Sequence, residues 1–135
     1  ERLTVSGNIC ATGTIASCSD VRYKKDIAPL SSPLKNILSL QGVSYHWRSD
    51  EYPEMNFSKE NQLGLIAQEV EEIYPAIVQT GTDGYKSVDY ARLTPVLIEA
   101  IKEQQKQIEE LKALVNTLTT EKKKAESESV LKAFK

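Results

Sequence analysis

The stretch that decides the fold is "LIEAIKEQQKQIEELKALVNTL", Leu97 to Leu118. Within it Leu97, Ile101, Gln104, Ile108, Leu111, Val115 and Leu118 follow one another at alternating steps of four and three, and six of the seven are apolar. That spacing is the seam of a heptad repeat. An ordinary amphipathic helix packed on its own domain would carry a similar stripe, but nothing downstream in the sequence covers three heptads of it. The spacing therefore predicts a coiled coil and, with it, an oligomer. Isoleucine or valine at one seam position with leucine at the other leans towards two strands on local rules, whereas the polar Gln104 is a residue that sets register and state. Beyond Leu118 the repeat decays to Lys122, Ala125 and Ser129, so the tail "EKKKAESESVLKAFK" is predicted to fray.

Upstream of this helix the character of the chain changes twice, which divides it into 1–18, 19–92 and 93–135. Residues 1–18, "ERLTVSGNICATGTIASC", are rich in Thr, Val, Ile and Ser and are punctuated by Gly7 and Gly13. They read as the end of a longer β-rich stem, too short to bury a core alone. The chain starts without methionine and reads as part of something longer. Residues 19–92 read as a small mixed core, giving an α+β fold with the long helix at its C-terminal end.

In that core, Ser32 before Pro33 has the order of an N-cap and first helical residue. Leu34, Ile37 and Leu38 follow at helical spacing, with Gly42 as the stop. "GVSYHWRSD" alternates Val43, Tyr45 and Trp47 with Ser44, His46 and Arg48, as a half-buried strand does. "EYPEMNFSKENQ" suits an exposed loop. "LGLIAQEVEEIYP" places Leu65, Ile66, Val70 and Ile73 on one stripe and ends at Pro75, a second helix. "AIVQTGTDGYKSVDY" reads as two short strands about "TDG".

The composition bounds the function. The 135 residues carry 17 basic and 19 acidic side chains, a net charge of -2, which gives no global field for nucleic acid or membrane. No apolar run approaches the roughly 20 residues that cross a bilayer. Cys10, Cys18 and the single His46, without a CxxC, make neither a disulfide framework nor a metal site, and no cofactor is indicated. The two cysteines read as free thiols. No basic block precedes the heptads, so a DNA-binding zipper is disfavoured.

At the junction of stem and core stands "IASCSDVRYKKDI", Ile15 to Ile27. A serine hydroxyl needs a base beside it to act as a nucleophile, and a lysine serves only when desolvation or nearby positive charge releases its proton. Ser19 and Lys24 are the candidate pair, and the chain between them must turn if they are to meet. Lys25 or Arg22 supplies positive charge. Asp20 holds either the loop or one of these cations, and a carboxylate against the lysine would oppose the chemistry; the residues alone leave both open. On spacing alone, "SD" at a loop start reads as an N-cap or Asx turn. Cys18 is a rival nucleophile without a nearby histidine, and His46 reads as a polar surface or interface residue. The acidic run "EVEE" is a solvated helix face, as are Gln68 and Glu69.

In order, "SDVRYKKDI", "GVSYHW", "LGLIAQEVEEIYP" and "KSVDYARLTPVLIEAIKEQQKQIEEL" resemble the intramolecular chaperone auto-processing domain. That domain lies at the C-terminus of phage tailspikes, tail fibres and endosialidases, and is similar to the self-cleaving segment of myelin regulatory factor. The resemblance runs from Ser19 to Leu118. It implies a homotrimer, which overrides the lean to two strands, and a single-turnover serine endopeptidase with Ser19 as nucleophile, Lys24 as general base and Cys18–Ser19 as the scissile bond. Asp20 and Arg22 would be supporting residues. The folding client would be the upstream β-rich domain of the same polypeptide, and the setting a virion tail or fibre precursor assembled in the host cytoplasm. A non-catalytic trimerisation or capping module is the competing expectation.

Overall fold

A computed structural model describes residues 16–133 together with Thr12. The expected β stem, apart from Thr12 and residues 16–18, lies outside the described residues, and 16–18 have no regular secondary structure. The α+β class expected from the sequence is the class observed, with two small antiparallel sheets, short helices and one long C-terminal helix. The chain divides into two compact units. One comprises the described residues up to Pro29 with Leu40–Val88, and the other comprises Leu30–Ser39 with the chain from Asp89 onward. Leu30–Ser39, read from sequence as part of the core, therefore belongs with the long helix.

In the first unit, β1 (Val43–Tyr45) pairs with β2 (Gln62–Gly64), Ser44 opposite Leu63. Val43 and Tyr45 turn inward while Ser44 faces solvent, but the strand ends at Tyr45, short of the expected Arg48, and Trp47 is 39% exposed. The segment "LGL" begins as a strand and not as a helix. Only from Ala67 does the chain become helical, in α2 (Ala67–Ile73), with Ile66 extended at its N-cap. Gly64 and the β-branched Ile66 weaken helix at the start of that run, and pairing with β1 decides the outcome.

The helix α2 packs against a hairpin of β3 (Val78–Thr80) and β4 (Lys86–Val88), in which Val78 faces Val88 and Thr80 faces Lys86. Val70 at 1% exposure and Ile77 at 6% form the buried apolar centre of this unit. The turn needs Gly84 at φ +83, a conformation that costs a side chain. It closes through Gly84 N to Gly81 O and Tyr85 N to Asp83 Oδ1. Lys86 ties helix to hairpin by donating from Nζ to Glu71 Oε1 and Thr80 Oγ1, both at 2.8 Å.

The second unit holds α1 (Pro33–Leu38) and α3 (Leu93–Ala133). Six residues are too few for a stable isolated helix, and α1 exists packed on α3. Among the described residues of α3, Leu93, Val96 and Ala100 are buried. Glu103, the next position on that face, accepts a hydrogen bond from Leu34 N at 3.1 Å, which identifies it as the face that carries α1. The heptad residues lie elsewhere on the helix: Leu97, Ile101, Ile108, Leu111, Val115 and Leu118 are all exposed, Ile101 by 62% and Leu111 by 60%. Instead of fraying after Leu118, α3 is helical to Ala133. Good helix formers and the Lys122–Glu126 pair at i,i+4 carry it past the end of the apolar repeat. No helix among the described residues is long and apolar enough to cross a membrane.

Candidate active site

Ser19 and Lys24 meet because the four residues between them form a tight turn. Asp20 is extended at φ -62, ψ 134, Val21–Tyr23 form one turn of 3-10 helix, and Lys24 is extended again. The Asp20 carboxylate caps the turn by accepting from Arg22 N at 2.9 Å. Tyr23 N donates to Asp20 O and Lys24 N to Val21 O, so the Arg22 amide and both backbone closures are satisfied. The result is a reversal that sets Lys24 Nζ 2.8 Å from Ser19 Oγ. That is hydrogen-bond reach, the separation at which a proton could pass between a hydroxyl and an amine. Both side chains are open to solvent in the single chain.

The carboxylate of Asp20 is engaged by Arg22 and not by Lys24. Oδ1 accepts from Arg22 Nε at 3.0 Å and Oδ2 from Nη2 at 2.8 Å, a two-pronged contact that adds to the backbone cap. These bonds hold the Asp20 carboxyl below the usual carboxylate range and push the Arg22 guanidinium up. Cys18 is an exposed free thiol on the residue before Ser19; Cys10 lies outside the described residues. Gln68 and Glu69 are exposed on α2, as expected of a solvated helix face.

His46 takes no part in this turn. It lines a cleft of about 640 Å³ with Trp47, Tyr52, Met55, Phe57 and Tyr85. Phe57 stacks on Trp47 with ring centroids 4.3 Å apart, Tyr45 meets Trp47 edge-on at 5.0 Å, and Tyr52 meets Tyr85 edge-on at 6.3 Å. Sequence reasoning missed this cleft. The signal was the aromatic content of "EYPEMNFSKENQ", a segment otherwise polar enough to pass as plain loop. Among the described residues no group of His, Cys, Asp or Glu is gathered as a metal would require.

A small α+β module with a long C-terminal helix whose apolar heptad stripe is exposed, and with a serine–lysine contact near Ser19, is the class that fold and site define. The chain belongs, through residues 19–79, to the chaperone of endosialidase family, whose match starts at Ser19. The long tail fiber protein Gp37 of Salmonella phage S16 is 34% identical over 75% of this chain and 15% of that protein. Myelin regulatory factor homolog 1 of Caenorhabditis elegans is 30% identical over 68% of the chain and 10% of its own length. The long tail fiber protein Gp37 of Escherichia phage AR1 is 35% identical over 49% of the chain and 6% of its own length. The chain thus spans a small fraction of each of these relatives. The family read from the sequence motifs is the family found.

Proposed function

We propose that this chain is the chaperone segment of a tail-fibre-like protein, that it trimerises through the exposed stripe of α3, and that it then cuts itself between Cys18 and Ser19. The observation that carries the reading is the 2.8 Å approach of Lys24 Nζ to Ser19 Oγ at the first residue of the family match. In the reaction the unprotonated Lys24 amine takes the Oγ proton, and Oγ attacks the carbonyl carbon of Cys18. The C–N bond breaks, the Ser19 nitrogen takes up the proton as an amine, and Cys18 is left as an ester on Oγ. Water hydrolyses that ester to give a carboxylate on Cys18 and restore the Ser19 hydroxyl. Each site acts once.

Assembly supplies what the single chain lacks. An exposed lysine is a poor base, and a neighbouring chain laid over the turn would desolvate the amine and favour its neutral form. Cleavage would then report assembly. The benefit to a β-rich client is kinetic. Such a stem closes long loops and aligns three chains before its contacts repay the entropy. A coiled coil at its end raises the effective concentration of the strands to about the millimolar range. Removing the coil afterwards leaves the stem trapped behind its unfolding barrier. The setting that follows is a virion tail or fibre precursor assembled in the host cytoplasm.

Intact mass spectrometry of the purified chain tests this. The expected products begin at Glu1 and at Ser19, while Ser19→Ala and Lys24→Ala each leave one uncut chain. A trimer that stays whole in the wild type would instead favour a non-catalytic capping module, in which Ser19 and Lys24 are turn residues.

A further inference from the structure

We propose that Arg22 is a positioning residue for this self-cleavage: it occupies the Asp20 carboxylate and thereby keeps that charge off the Lys24 amine. The inference rests on the dyad reading above and deepens it. Asp20 does two things of opposite value. Its Oδ1 caps the turn that brings Lys24 to Ser19, so some acceptor is needed there. Its negative charge, four residues before Lys24 and five before Lys25, would hold a proton on Lys24 and draw the amine from Ser19 if it were free.

The geometry resolves the conflict through Arg22. Nε and Nη2 of its guanidinium take one carboxylate oxygen each, and Arg22 N also binds Oδ1. A guanidinium is always charged and fits a carboxylate two-pronged, whereas a lysine is a point donor. With Asp20 filled in this way, the hydrogen bond of Lys24 goes to Ser19 Oγ. The arginine side chain is itself 81% exposed, so its place in the site comes from this contact and not from packing.

The test is a double-mutant cycle on the full chain, with the cut fraction followed on gels during pulse-labelled cell-free synthesis and assembly checked by light scattering. Arg22→Ala in the Asp20 background should slow appearance of the fragment 19–135 by about tenfold, and the same change in a D20N background by less than about threefold, a coupling in the range of contacting residues. Asparagine keeps the capping oxygen and removes the charge, so rescue by D20N distinguishes a freed carboxylate from a loosened turn. Arg22→Lys, which retains charge without the fork, should fall between and be rescued likewise; it serves as the assembling variant if Arg22→Ala does not trimerise. Equal slowing in both backgrounds, or none in either, overturns the role of Arg22 while leaving the dyad standing. A wild-type trimer that never cuts overturns both.

Discussion

Glu103 on α3 accepts a hydrogen bond from the backbone amide of Leu34, 69 positions earlier in the chain, at the start of a helix whose own N-cap residue gives none. Ser32 stands where a capping serine belongs, but at φ 49 and ψ 46 its side chain makes no cap bond. A long-range carboxylate has taken that task, favoured by the partial positive charge of a helix start. Glu103→Ala should therefore cost about 1 kcal/mol, the usual effect of losing an N-cap. Glu103→Gln, which keeps an acceptor oxygen, should cost less. Urea unfolding of the three chains checks the order, and Ser32→Ala should change little.

The hairpin turn offers a second case. Gly84 at φ +83 has open space where a Cβ would go, so a substitution there meets no clash but adopts a backbone that side chains rarely take. Gly84→Ala should destabilise the first unit by about 1 kcal/mol through the backbone alone. Gly42, also with open space where a Cβ would go and without a positive φ, is the control. Thermal unfolding that lowered the midpoint equally for both would contradict this account.

The sequence carried the long elements well and the short contacts poorly. Pro33 marked the start of α1 because φ near -65° suits a first helical residue, and Gly-rich "TGTDG" marked the hairpin. The cap on α1 was illegible because its acceptor lies far along the chain. The start of "LGLIAQ" was misread as helix because a short apolar run fits a strand or a buried helix equally, and pairing with β1 makes it a strand. The Ser19–Lys24 pair was legible as a candidate, yet the direction of Asp20 was not: whether a carboxylate turns to residue 22 or to residue 24 depends on the turn geometry that its own cap creates.

Asp20 also makes a pH prediction. Hydrogen bonds from Arg22 lower its folded pKa below the ordinary 3.8. A depressed carboxyl adds stability that is fully present above the unfolded value and is lost as pH falls through the lower folded one. The turn should therefore be unchanged above about pH 5 and loosen only below 3.8, where the carboxyl protonates. Carbon-detected NMR titration should give a midpoint below 3.8 in the wild type, moving back towards it in Arg22→Ala. A midpoint at or above the ordinary value in the wild type would mean that the fork is not formed in solution.

The stripe on α3 makes the strongest claim on assembly. Ile108, Leu111 and Val115 are exposed by 39%, 60% and 58%, whereas the buried Leu93, Val96 and Ala100 lie earlier along the same helix. Burying one such side chain in a seam is worth about 1.5–3 kcal/mol per chain, and a charge placed there is both unpaired and repelled by its copies. On the proposed trimerisation and self-cleavage, Leu111→Asp should abolish assembly and, with it, release of the fragment beginning at Ser19, although the turn holding Lys24 is in the other unit and untouched. In the proposed seam, Gln104→Leu should raise the thermal midpoint of the assembled chain, because a polar seam residue trades stability for register. Sedimentation equilibrium paired with chain mass reads both. A monomeric Leu111→Asp chain that still cuts itself at the wild-type rate would separate the chemistry from the assembly and remove the coupling proposed between them.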